Sequence, residues 1–127
     1  MAIKRKVKKA ESIKPIPSDI YPAKLVSIAE NDGNFGKYFV LEFQITDGSY
    51  SGEKRTIVAS DKLLRGQKGN SKLLGILETL AGNQLSLDQE VDLEGYLGSR
   101  CRILVEEPKM KADILVQNIG KILPPKE

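Results

Sequence analysis

Nine residues of strict alternation constrain this chain more than any other feature. Between Lys37 and Ile45, the side chains of Phe39, Leu41, Phe43 and Ile45 fall on one side and those of Tyr38, Val40, Glu42 and Gln44 on the other. That is the period of a strand with one buried face. Such a strand requires neighbours to pair with and a core to face. Upstream, Leu25, Val26 and Ile28 mark a first strand over 21–30, ended by the turn-forming run Asn31-Asp32-Gly33-Asn34. Downstream, a glycine-bearing connection over 46–52 leads into a third strand over 53–60, built around Ile57 and Val58.

The period then lengthens to that of a helix. Leu73, Leu74, Leu77, Leu80 and Ala81 follow helical spacing, with Asn70 or Ser71 as N-cap and Gly82 as terminator. A single helical turn is expected over 92–97. Alternation resumes over 99–107, with Cys101, Ile103 and Val105 inward and Arg100, Arg102, Leu104 and Glu106 outward. A basic loop at 108–111, a fifth strand over 112–119 and a trailing segment through Pro124-Pro125 complete the chain. The order β-β-β-α-β-β describes an all-β protein with one helix, and a five-stranded OB-fold barrel is the architecture with that order. No internal repeat or low-complexity block interrupts it.

Charge divides the 127 residues unevenly. Lys4, Arg5, Lys6, Lys8, Lys9 and Lys14 against Glu11 leave +5 in the first 14 residues, so an overall charge of +3 leaves −2 on the remaining 113. The expected organisation is a disordered basic arm over 1–15, a domain over 16–122 opened by the Pro15/Pro17 linker, and a short tail over 123–127. No apolar run approaches the roughly 20 residues of a membrane-spanning helix, and no secretory h-region follows the first charges. A cytoplasmic protein with no membrane partner is expected. With no histidine and one cysteine, the chain lacks the common general base and the common zinc ligands. The expectation is a binding protein, not an enzyme, with no cofactor, no metal and no catalytic residues. Cys101, on an inward position, reads as a buried inert thiol.

Two segments carry a family likeness. The stretch from Ile16 to Tyr21, and the hairpin motif Phe43, Ile45, Asp47, Gly48, Tyr50, Gly52, followed by a leucine-rich helix and by Leu97 and Gly98 before the fourth strand, resemble a family of small phage and prophage single-stranded DNA-binding proteins with OB-type modules. The likeness spans roughly 16–122. Two departures stand out: Asp19-Ile20 replaces the glycine usual before the first tyrosine, and Lys121 to Glu127 lacks the acidic tip of many bacterial single-stranded DNA-binding proteins. The resemblance implies single-stranded DNA as ligand, with little sequence preference, in phage-type DNA replication or recombination inside a bacterial host cell. Replication or recombination proteins and a second copy of the chain are further candidate partners. An OB-like adaptor module in a replisome or virion is the alternative.

OB-folds bind oligonucleotides on the face of the second and third strands and through flanking loops, with aromatics stacking bases and cations following phosphates. On that pattern Phe35, which either stacks on a base or folds back over the barrel, is a candidate together with Lys37 and Tyr38. Lys54, Arg55 and Thr56 on the third strand, Arg100 and Arg102 on the fourth, and Lys109 and Lys111 in the following loop supply contacts around the groove. Lys4, Arg5, Lys6, Lys8 and Lys9 of the arm add counterion-release affinity. Glu42, Glu106 and Glu107 oppose phosphate, so binding is expected to be modest and salt-sensitive. The loop Gly66-Gln67-Lys68-Gly69-Asn70-Ser71-Lys72 lacks phosphate-loop spacing, which argues against nucleotide hydrolysis. It could still cover a bound strand as a flap.

Overall fold

A computed structural model describes residues 14–34, 36–63, 65–66, 69–86 and 90–125, the side chains of 65–70 excepted. The arm residues Lys4, Arg5, Lys6, Lys8 and Lys9, and also Phe35, lie outside them. The protein is mostly β with one helix. Its main element is a five-stranded antiparallel sheet of β1 (Asp19–Gly33), β2 (Gly36–Ile45), β3 (Lys54–Ser60), β6 (Arg100–Val105) and β9 (Ile119–Leu123). Two short hairpins stand apart from it: β4 (Arg65–Gly66) with β5 (Gly69–Asn70), and β7 (Lys109–Lys111) with β8 (Ile114–Val116). Helix α1 (Lys72–Ala81) and a 3-10 turn (Leu93–Tyr96) lie between β3 and β6.

The strand order is β3-β2-β1-β6-β9. Three consecutive strands meander, and the fourth returns through a long connection to lie beside the first, which is Greek-key connectivity. The return depends on β1. Its first half pairs with β6, from Asp19 opposite Val105 to Lys24 opposite Arg100, and its second half pairs with β2. A register shift between Leu25 and Ser27 separates the two halves; an extra residue of this kind bends a strand and increases its twist. Gly98, at φ 87°, turns the chain into β6 while its N–H donates to the Leu25 carbonyl (2.7 Å) and the Leu25 N–H donates to Ser99 (3.0 Å). A side chain at that φ would be strained.

The expected alternation is present where it was strongest. Leu41, Phe43 and Ile45 are fully buried, and Leu25, Ile57, Cys101, Ile103 and Val105 join them. Helix α1 covers this core with Leu73, Leu74, Ile76 and Leu77. It ends as expected at a left-handed Gly82. At its start the Ser71 hydroxyl donates to the Lys62 carbonyl (2.8 Å), which ties the helix to the chain just after β3.

The C-terminal third departs from expectation. The strand expected over 112–119 is the second half of a hairpin followed by the beginning of another strand, and the segment expected to trail off forms β9 through Leu123. Ala112 and Asp113 both take positive φ (50° and 65°), a two-residue type I′ turn that breaks the apparent run. Gln117 then turns into the interior instead of continuing the alternation.

No ladder joins the terminal strands β3 and β9 among the described residues, so the sheet is not closed by backbone hydrogen bonds. A side-chain junction spans them instead. Arg55 on the inner face of β3 is 5% exposed and donates from Nε (3.3 Å) and Nη2 (3.1 Å) to Oε1 of Gln117, itself 4% exposed. The same oxygen accepts the Ile16 N–H (3.0 Å), while Nε2 of Gln117 donates to the carbonyls of Ile16 (2.6 Å) and Glu106 (2.9 Å). The remaining Arg55 donors reach the carbonyls of Lys54 and Lys14, and Glu53 lies 3.6 Å from Nη1.

Two predictions follow from this interior. Removing one partner of a buried charged hydrogen-bond set strands the other, so Gln117→Leu should cost about 3–5 kcal/mol in urea unfolding. Adding Arg55→Met to that variant should recover part of the loss. Burial pushes the Cys101 thiol up to about 12. The folded core favours the neutral thiol, so the resulting stability is complete below the thiol's ordinary value and is lost as pH rises towards 12. Thermal melts from pH 8 to 11 should fall more steeply for the native chain than for Cys101→Ala.

Candidate functional site

Strand alternation leaves Lys24, Gln44, Lys54 and Arg100 on the outer face of the sheet, because Ala23, Leu25, Phe43, Ile45, Arg55 and Cys101 beside them are buried. Register then aligns the four. Lys54 is opposite Gln44, Gln44 opposite Lys24, and Lys24 opposite Arg100. They form a single row across four strands, about 14 Å from end to end at normal strand spacing. Arg102 lies two residues along β6, half-buried, with its Nε donating to the Pro124 carbonyl (2.9 Å). A polar depression lined by Lys24, Gln44, Asp47, Ser51 and Arg100 lies at this end of the sheet.

Farther along the face, Thr56 is opposite Glu42, Val58 opposite Val40, and Tyr38 opposite Ser60. Val58 is 47% exposed. Tyr38 is half-buried near the β1–β2 turn, where a Cβ on Gly33 would come within 3.1 Å of its ring. The absence of a side chain at Gly33 therefore makes room for the aromatic ring. Lys37, exposed beside it, pairs with Glu30 at 3.4 Å; an exposed pair of this kind is weak and can exchange for another anion.

The structure separates the expected site residues into groups. Lys54 and Arg100 belong to the row, with Arg102 next to it, and Thr56 and Tyr38 share the face with them. Lys109 and Lys111 are exposed on the β7–β8 hairpin. Arg55 does not belong with the surface cations, because its guanidinium is buried in the Gln117 junction and has no side open to a phosphate. That junction has a positional consequence. The hairpin emerges between Glu106 and Gln117, both bonded into the junction, and Arg55 directly follows Lys54. The root of the hairpin is therefore held at the Lys54 end of the row.

Lys24 and Gln44 are the members that sequence reasoning missed. Each alternates with buried neighbours, which marked them as outward-facing, but their alignment with Lys54 and Arg100 depends on inter-strand register. Among the described residues no cluster of three or more His, Cys, Asp or Glu side chains is arranged to hold a metal ion, and no helix is long and apolar enough to cross a membrane. No protein-family model matches the chain, and no curated protein matches it significantly.

The tip of the β7–β8 hairpin carries a local cost, since Ala112 and Asp113 occupy the left-handed region that glycine and asparagine tolerate best. Replacing the pair by Asn and Gly (Ala112→Asn with Asp113→Gly) should raise stability in urea by about 1 kcal/mol without altering the sheet.

Proposed function

We propose that this chain is an OB-type module, open between β3 and β9, that binds single-stranded DNA across the outer face of its sheet with little sequence preference. The observation that carries the reading is the row Lys54, Gln44, Lys24 and Arg100, three cations and a carboxamide in register on one face. Cations so spaced suit successive phosphates of an extended strand. Tyr38 and the exposed Val58 give the same face a stacking ring and an apolar surface for bases. The Greek-key order, with its helix between the third and fourth strands of the main sheet, supports the OB-type reading. Lys109 and Lys111, exposed on the hairpin whose root is tied to Arg55, add two further cations. Glu42 and Asp47 keep the affinity modest.

A role in phage-type DNA replication or recombination, with proteins of those processes as partners, rests on the family resemblance of the hairpin motif. Fluorescence anisotropy with labelled oligo-dT at low salt, beside a duplex of equal length, tests the ligand. Preferential binding of the single strand is expected, and the slope of log K against log salt should flatten by about 2 in the triple variant Lys24→Ala, Lys54→Ala, Arg100→Ala. Tyr38→Ala should cost roughly 1–3 kcal/mol per stacked base. Absence of binding, or an unchanged slope in the triple variant, would overturn the assignment.

A further inference from the structure

A groove that shares no lining residue with the cation row lies between α1 and the two terminal strands of the sheet. Ile57 of β3, Ile76 of α1 and Ile122 of β9 make its apolar floor, and the exposed Lys72 and Lys121 stand at its rim. The same helix face, through Gly75 and Thr79, lines a second depression that reaches Pro124. We propose that this groove docks an extended segment of a partner protein in which acidic residues alternate with branched apolar ones.

Three observations converge on that occupant. β3 and β9 each pair on one side only among the described residues, so the floor of the groove is flanked by strand edges of the kind an added strand extends. Gly75 sits in the interior of α1, where glycine is the poorest helix former apart from proline. A Cβ there would meet nothing within 4 Å, so packing within the chain does not require glycine. The open space over Gly75 leaves room for close approach of another backbone.

The third observation is charge. Lys72 and Lys121 favour carboxylates; of the acids nearby, Glu78 accepts the Leu85 N–H (2.7 Å), and the Glu106 side chain lies against Gly120 at one edge of the groove. An isoleucine floor without an aromatic ring is poorly suited to stacking bases. It suits the side chains that alternate along one face of an extended peptide.

The probe is a fluorescein-labelled hexapeptide alternating Asp with Ile or Val, paired with a control in which Lys replaces Asp. Anisotropy should show saturable binding of the acidic peptide alone. The double variant Lys72→Glu, Lys121→Glu should weaken it by about tenfold or more while leaving oligo-dT binding unchanged. Gly75→Ala should raise Tm yet lower peptide affinity, a pair of opposite effects that misfolding does not produce. The proposal is overturned by equal binding of both peptides, by no saturable binding, or by a Gly75→Ala variant that gains stability and keeps its affinity. Displacement of the peptide by oligo-dT, with loss of DNA affinity in the double variant, would assign the groove to nucleic acid and overturn it equally.

Discussion

Arg55 and Gln117 meet where the two ends of the sheet come together without a shared ladder. A buried guanidinium is tolerable only if its donors are matched, and here a carboxamide oxygen and two backbone carbonyls match them. The carboxamide in turn holds both the N–H and the carbonyl of Ile16, and the carbonyl of Glu106. One glutamine therefore fixes the entry into β1, the start of β3, the exit from β6 and the entry into β9. A backbone ladder would have done this with period-two pairing along the whole edge. A side-chain junction does it at one end and leaves the rest of the edge open.

That difference shapes the surfaces on either side. The junction fixes the start of the strand that carries Lys54 and the root of the hairpin that carries Lys109 and Lys111. On the helix side, the lengths of β3 and β9 that pair with no other described strand border a groove that α1 covers but does not fill. Closing the sheet with a full ladder would have removed the groove while leaving the cation row in place. The two surfaces thus depend on the junction in different ways.

Much of the framework was legible because it follows from periodicity. Phe43 and Ile103 had to face inward, and the leucines of α1 had to share a stripe, whatever the tertiary arrangement. Arg55 shows how the same rule can be overlooked. It lies two residues before the buried Ile57 and therefore on the inner face, but an arginine reads as a surface residue because arginines rarely lack water. The partner that makes its burial possible is 62 residues away and itself polar, so no local pattern announces it. The C-terminal hairpin was hidden for another reason: Ala112 and Asp113 adopt a turn usually marked by glycine or asparagine.

The candidate site lay at the limit of what one sequence discloses. That Lys24 and Gln44 face outward follows from alternation, yet a row requires three strand registers, and register depends on turn lengths and on the bulge between Leu25 and Ser27. Were the bulge straightened with every residue kept, side chains on one half of β1 would change faces relative to those on the other. Lys24 precedes the bulge and pairs with both Gln44 and Arg100, so it is the residue through which the β2–β3 half of the sheet and the β6–β9 half present a common surface. A small net charge on the folded part is compatible with such a surface, because alignment concentrates three cations within about 14 Å while most of the balancing acids lie elsewhere. Under the proposed function, a polyanion on this face would sense that local arrangement, since charges beyond a Debye length are screened.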